Sequence, residues 1–170
     1  LCAGRVAVVT GGGGAIGEAV CRALSDHGAA VVVADRAVDR VEAACAEIEA
    51  RGRRSLGVTS DLTEAGAIAA LIARANATFG RVDILVNALG EHLALSGPFE
   101  RSTEEGWERL YRVNLLQTMQ ACHAVLPGMR ETGWGRVVMV ASVTGPVMAM
   151  RGEAAYTASK AGMVGLARSV

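Results

Sequence analysis

Five short apolar runs, each followed by polar and apolar residues at helical spacing, set the outline of the chain. Residues 5–10 (Arg-Val-Ala-Val-Val-Thr) are β-branched and lack polar alternation, as expected of a strand buried on both faces. Residues 30–34, 82–86 and 136–141 repeat that character, and residues 56–60 form a weaker version. After the first run, Ile16, Val20, Ala23, Leu24 and His27 recur at helical spacing, with Gly28 placed to end the helix. Residues 38–48 predict a second helix whose exposed face carries Asp39, Arg40, Glu42 and Glu47, ending before the solvated loop Arg51, Gly52, Arg53, Arg54. Thr63 is placed as the N-cap of a third helix reaching Phe79. Ser102 or Thr103, with Glu104 and Glu105 behind it, is expected to open one long helix to about Glu131, and the last helix starts at Ala154.

Strand and helix alternate five times, the pattern of an α/β protein with a parallel sheet covered by helices on both faces. Right-handed crossovers predict a doubly wound sheet of order 3-2-1-4-5. In that order the fifth strand is an edge, yet its Val137-Val138-Met139-Val140 core is apolar on both faces, an aggregation hazard if left bare. Residues 1–170 are therefore expected to be a single domain that is incomplete at its C-terminal side, with at least one further strand beyond Val170.

Composition narrows the class. Seventeen basic residues balance seventeen acidic ones, which removes the electrostatic footprint of a nucleic-acid binder. The longest wholly apolar runs fall far short of a bilayer's width, so no membrane span is expected. Four cysteines without a Cys-x-x-Cys pair fit reduced thiols in a cytoplasmic protein and suggest no metal site.

Between the first strand and its helix stands Gly11-Gly12-Gly13-Gly14-Ala15-Ile16-Gly17. Strand, glycine turn, helix is an arrangement that binds anions: glycines let the backbone approach a pyrophosphate, and the helix N-terminus offers free N–H groups and partial positive charge. Gly12, Gly14 and Gly17 fit the dinucleotide fingerprint, giving the sheet a Rossmann-like reading, although a flexible glycine loop would look the same. Asp35 ends the second strand 18 residues after Gly17. A carboxylate there accepts ribose hydroxyls and opposes a 2′-phosphate, favouring NAD over NADP, whereas Arg36 next to it could pair with that phosphate. Asp35 as a plain turn residue is the alternative. Asp61 and Leu62 end the third strand on the same edge, where Asp61 is either a turn former or an adenine contact.

The remaining chemistry collects late in the chain. Asn114, an amide among Val113, Leu115 and Leu116, is either a satisfied core group or part of a site. The fifth strand delivers Ser142 to the carboxyl edge, and the mostly apolar residues 143–150 could line a pocket for a non-polar substrate. Tyr156 and Lys160 stand four apart on the last helix, so they project from one face. Sixteen of the seventeen basic residues are arginine, and the only lysine is Lys160. An ammonium favours the phenolate of a neighbouring tyrosine, and a lysine is a compact, tunable charge where arginine is not.

Thr10-Gly11 through Ile16-Gly17, Asp61-Leu62, Asn87 to Gly90, Asn114, Ser142, and Tyr156 with Lys160 together resemble the short-chain dehydrogenase/reductase family over the whole chain. The resemblance implies reversible hydride transfer between a nicotinamide cofactor and a small-molecule secondary alcohol or ketone. It implies Tyr156 as general acid/base and Ser142 as the group holding the substrate carbonyl. Lys160 would bind the nicotinamide ribose, and Asn114 would support a water relay to it. Gly11, Gly14, Ile16, Gly17, Asp35, Arg36, Asp61, Leu62, Asn87, Ala88, Gly90 and Val113 are then the expected cofactor contacts, together with Tyr156 and Lys160. A homodimer or homotetramer through the last two helices is also implied. An NADPH-dependent 3-oxoacyl reductase and a non-catalytic nucleotide-binding fragment are the alternatives. Two positions depart from the family pattern: Ala15 stands where its middle glycine is usual, and Asn87-Ala88-Leu89-Gly90 replaces Asn-Asn-Ala-Gly.

Overall fold

A computed structural model describes residues 1–92 and 95–170. The elements run β1 (Val6–Thr10), α1 (Ala15–Asp26), β2 (Ala30–Asp35), α2 (Val38–Ala50), β3 (Ser55–Thr59), α3 (Ala67–Phe79) and β4 (Ile84–Asn87). They continue through α4 (Glu104–Tyr111), α5 (Gln117–Glu131), β5 (Arg136–Met139) and α6 (Ala154–Ser169). All strands are parallel, in the order β3-β2-β1-β4-β5 expected from the sequence.

The unbroken apolar runs explain why β1 and β2 sit in the middle: every residue of β1 is buried, and only the last of β2 is not. Alternate side chains serve opposite layers. Val6, Val8, Val32 and Leu85 pack with Leu71 of α3 and Val125 of α5, whereas Ala7, Val9, Val31 and Val33 pack with Cys21 of α1 and Ile48 of α2. Burial pushes the Cys21 thiol up to about 12, leaving it inert at neutral pH. All four cysteines are free. At the sheet's other side β5 is an edge, with Val138 49% exposed.

Several boundaries differ from expectation, each for a local reason. Thr63 does not cap α3. Its N–H and hydroxyl both donate to Asp61 Oδ1, at 2.9 and 2.7 Å, which spends Thr63 on a turn and delays the helix to Ala67, after Gly66 at φ +81°. β4 begins at Ile84, two residues later than expected; just before it the Asp83 N–H donates to Val6 O at 2.9 Å, and the Asp83 carboxylate accepts from the Val6 N–H and from the Arg5 and Arg81 guanidiniums. Thr103 is the N-cap of α4, accepting from the Gly106 N–H at 3.1 Å. The expected single helix from there to Glu131 is interrupted by a π-helical turn, Arg112–Leu116. The apolar residues 143–150 close a tight turn in which the Val147 and Met148 N–H groups both donate to Val143 O. That turn leaves Val143, Val147 and Met150 each more than half exposed.

Candidate active site

The glycine turn after β1 is fixed by its own backbone. Gly12 N–H donates to Ala34 O at 3.0 Å, Gly14 N–H donates to Gly11 O at 3.0 Å, and Gly13 N–H donates to Asp35 Oδ2 at 3.2 Å. Space is as restrictive as hydrogen bonding. A Cβ on Gly17 would stand 2.0 Å from Gly11 O, and one on Gly13 would stand 2.8 Å from Arg40 Cβ. Gly14, the N-cap of α1, offers no side chain to the first-turn N–H groups, which are left for an anion.

A cavity of about 350 Å³ opens in front of this turn. Of the residues expected to contact a cofactor, Gly11, Gly14, Asp35, Arg36, Asp61, Leu62, Ala88, Gly90 and Val113 line it. Gly17 and Asn87 are buried, with Asn87 Nδ2 turned 3.9 Å from Cys122 Sγ and its Oδ1 without a partner among the described residues. Ile16 is 60% exposed on the first turn of α1. Both Asp35 carboxylate oxygens are oriented by backbone, since Oδ1 also accepts from Ala37 N–H at 3.1 Å. Arg36 reaches across to Glu91 at 2.8 Å. The Thr63 hydroxyl and N–H, helped by the Arg36 charge, hold the Asp61 carboxyl below the usual carboxylate range. Uncapped helix N–H groups, a loop with no room for side chains and an oriented carboxylate 22 residues after Gly13 suit a dinucleotide.

A second cluster adjoins the cavity at Gly90. Asn114 lies in the π-helical turn with no exposed surface. Its Nδ2 donates to Glu91 O at 2.8 Å and to Leu110 O at 3.0 Å, the carbonyl that an α-helical turn would pair with the Asn114 N–H. Its Oδ1 accepts from Glu91 N–H at 3.2 Å. Asn114 is thus both the satisfied core amide and a brace for the loop after β4. Lys160, 4% exposed, donates from Nζ to Val140 O at 3.0 Å, and burial lowers its pKa. A Cβ on Gly90 would stand 2.8 Å from Lys160 Nζ and 3.0 Å from Asn114 Oδ1, so both polar atoms converge on one point. The Tyr156 ring centroid is 5.9 Å from Lys160 Nζ on the same face of α6. Ser142 Oγ accepts from Thr144 N–H at 3.1 Å, which fixes the hydroxyl at the carboxyl end of β5.

Two further residues of this cluster escaped sequence reasoning. His92 sets its ring against Tyr156, and its Nε2 meets the carboxylate of Glu153, three residues before that tyrosine. Nothing in their spacing announces the contact, because the partners lie 61 positions apart and meet only when α6 docks beside the loop after β4. Among the described residues no group of three His, Cys, Asp or Glu side chains could hold a metal ion, and no helix is long and apolar enough to cross a membrane.

The sequence model of a family described as short chain dehydrogenase matches residues 5–170. "Oxidoreductase UcpA" of Salmonella typhimurium is 38% identical over 167 residues, 98% of this chain and 62% of that one. "D-threitol dehydrogenase" of Mycolicibacterium smegmatis is 34% identical over 165 residues, again 62% of its length. The chain thus spans about three fifths of these relatives. A crystal structure of a metagenomic short-chain oxidoreductase in complex with NADP superposes with a TM-score of 0.93 at 36% identity, covering 99% of this chain and 75% of that one.

Proposed function

The chain belongs to the short-chain dehydrogenase family, and from that membership and the convergence of Lys160 and Asn114 on Gly90 we propose that it is the cofactor and catalytic region of an oxidoreductase interconverting a secondary alcohol and a ketone. A nicotinamide dinucleotide bound in the cavity would supply the hydride acceptor or donor. The Gly11–Gly17 turn and the first turn of α1 would hold its pyrophosphate, and Asp35 its adenosine ribose. Tyr156 gives or takes the proton of the substrate oxygen at Oη, because a hydride can leave or reach carbon only if that oxygen changes protonation. Ser142 hydrogen-bonds the same oxygen in either oxidation state, as a hydroxyl both donates and accepts. Lys160 keeps positive charge beside the phenol, where it would meet charge developing on the phenol oxygen, while Asn114 holds the loop that walls the ammonium in.

The same reading takes NAD as the preferred cofactor. Asp35 carries an oriented negative charge at the end of β2, and Arg36 is engaged by Glu91. NADP is the second reading, favoured by the NADP-bound relative and by Arg40 standing beside Arg36 in the cavity. Self-association through α5 and α6 and a cytoplasmic location with reduced thiols complete the proposal.

The test compares NADH and NADPH binding to the protein, then turnover of a broad ketone panel by wild type and Tyr156→Phe. Tighter NADPH binding would reverse the cofactor preference. No reduction of any ketone, or an unchanged rate in Tyr156→Phe, would reject the catalytic reading. Thermal melts add a readout independent of turnover: NAD is expected to raise the melting temperature of the wild type, and an unchanged melting temperature at saturating NAD counts against the placement of the cofactor.

A further inference from the structure

Glu153 is a carboxylate that the proposed chemistry leaves unused, yet it is 8% exposed and both its oxygens are engaged. Oε2 meets His92 Nε2 at 2.5 Å, and Oε1 accepts from the Ser96 hydroxyl. The loop after β4 is thereby tied to the first turn of α6, and the Gly97 N–H adds a bond to Gly152 O at 3.1 Å. Gly152, at φ +85°, brings that carbonyl so close that a Cβ would stand 3.1 Å from Gly97 N. Held in this way, the His92 imidazole packs edge-on against the Tyr156 ring, with centroids 5.4 Å apart and planes at 63°. An edge-to-face contact restricts where the phenol ring can turn. A buried carboxylate costs solvation and persists where it is paired and hydrogen-bonded, as both oxygens are here.

We propose that Glu153 and His92 are a positioning pair for Tyr156: the carboxylate fixes the imidazole, and the imidazole fixes the plane of the phenol that exchanges the proton. The proposal rests on the reading of Tyr156 as acid/base.

The test uses the full chain with Tyr111→Phe, which leaves Tyr156 the only tyrosine, and ¹³C in the tyrosine ring. His92→Ala is expected to move the Tyr156 ring signal, and Glu153→Ala to move it in the same direction. Glu153→Gln, which keeps an oxygen acceptor for the imidazole, is expected to rescue most of the shift. In turnover, His92→Ala is expected to lower kcat by about tenfold with KM for the ketone and affinity for the cofactor unchanged, the mark of a group that acts through orientation. Glu153→Ala is expected to add nothing in the His92→Ala background. An unmoved ring signal in His92→Ala overturns the proposal whatever the kinetics. Additive losses in the double variant overturn the role of Glu153 by assigning it to α6 alone. Should the ring signal move in a protein whose wild type reduces no ketone, the positioning contact stands and the catalytic reading of Tyr156 falls.

Discussion

Gly90 vacates the space beside the Lys160 ammonium: a Cβ there would stand 2.8 Å from Nζ, closer than real contacts allow. The atom in the way is the tip of a flexible side chain, so the fold can yield and the site cannot. Gly90→Ala is expected to leave the melting temperature within a few degrees while lowering kcat/KM by about 100-fold, since small displacements of catalytic groups are costly. Thermal melts beside steady-state kinetics check this, and equal losses in both would contradict it.

Gly17 presents the opposite case. A Cβ there would meet the Gly11 carbonyl at 2.0 Å, backbone against backbone, with nothing free to move. Gly17→Ala is expected to cost about 3 kcal/mol or more by overpacking, seen as a lowered denaturation midpoint even without cofactor. Wild-type stability in that variant would mean the turn relaxes at no cost.

Lys160 connects the site to pH. Its pKa is lowered by burial from 10.5, so between the lowered value and 10.5 the unfolded chain binds more protons than the folded one. Stability owed to this group therefore rises with pH across that window. Lys160→Met is expected to be inactive yet more stable than wild type at neutral pH, with the difference shrinking toward pH 10.5. Denaturant titrations of both proteins at several pH values measure it, and a difference that grows with pH would refute it.

Asp83 behaves in the other sense. Burial at 1% exposure would raise its pKa, but the Val6 N–H and the Arg81 and Arg5 guanidiniums outweigh it and hold the carboxyl below 3.8. A depressed carboxyl contributes stability above its unfolded value and loses it as pH falls through the folded one. Asp83→Asn is expected to cost about 2 kcal/mol at neutral pH, less than a fully buried pair because both arginines are partly solvated. The gap between the two proteins closes in acid, which chemical denaturation at pH 7 and below pH 3 reads directly.

Glu91 is the neighbour to alter for cofactor choice. Its ion pair with Arg36 is solvent-exposed and worth at most about 0.5 kcal/mol to the fold. Glu91→Gln is expected to leave stability unchanged and to strengthen NADPH binding relative to NADH by several-fold, because Arg36 is released. Unaltered selectivity in fluorescence titrations would remove Arg36 from the recognition of the adenosine ribose.

The layer order was legible because it depends on local signals that few structures satisfy. Unbroken runs such as 30–34 belong in the middle of a parallel sheet, and a glycine cluster between strand and helix marks a tight turn, found here at Gly11 to Gly14. Boundaries were legible only where one residue decided them. Thr103 capped as expected, while Thr63, equally plausible by type, was captured by Asp61 two residues earlier. The π-helical turn left no periodic trace, since one extra residue in a turn around Asn114 is indistinguishable from a long amphipathic helix. Glu153 and His92 depend on how a loop docks on α6, and no pattern within either segment carries that information.

Because the chain has one lysine and buries it on α6, a lysine-specific endoprotease has a single target bond, closed to it in the native state. Its cleavage rate then counts how often the last helix opens, so the molecule carries its own reporter of local unfolding beside the site.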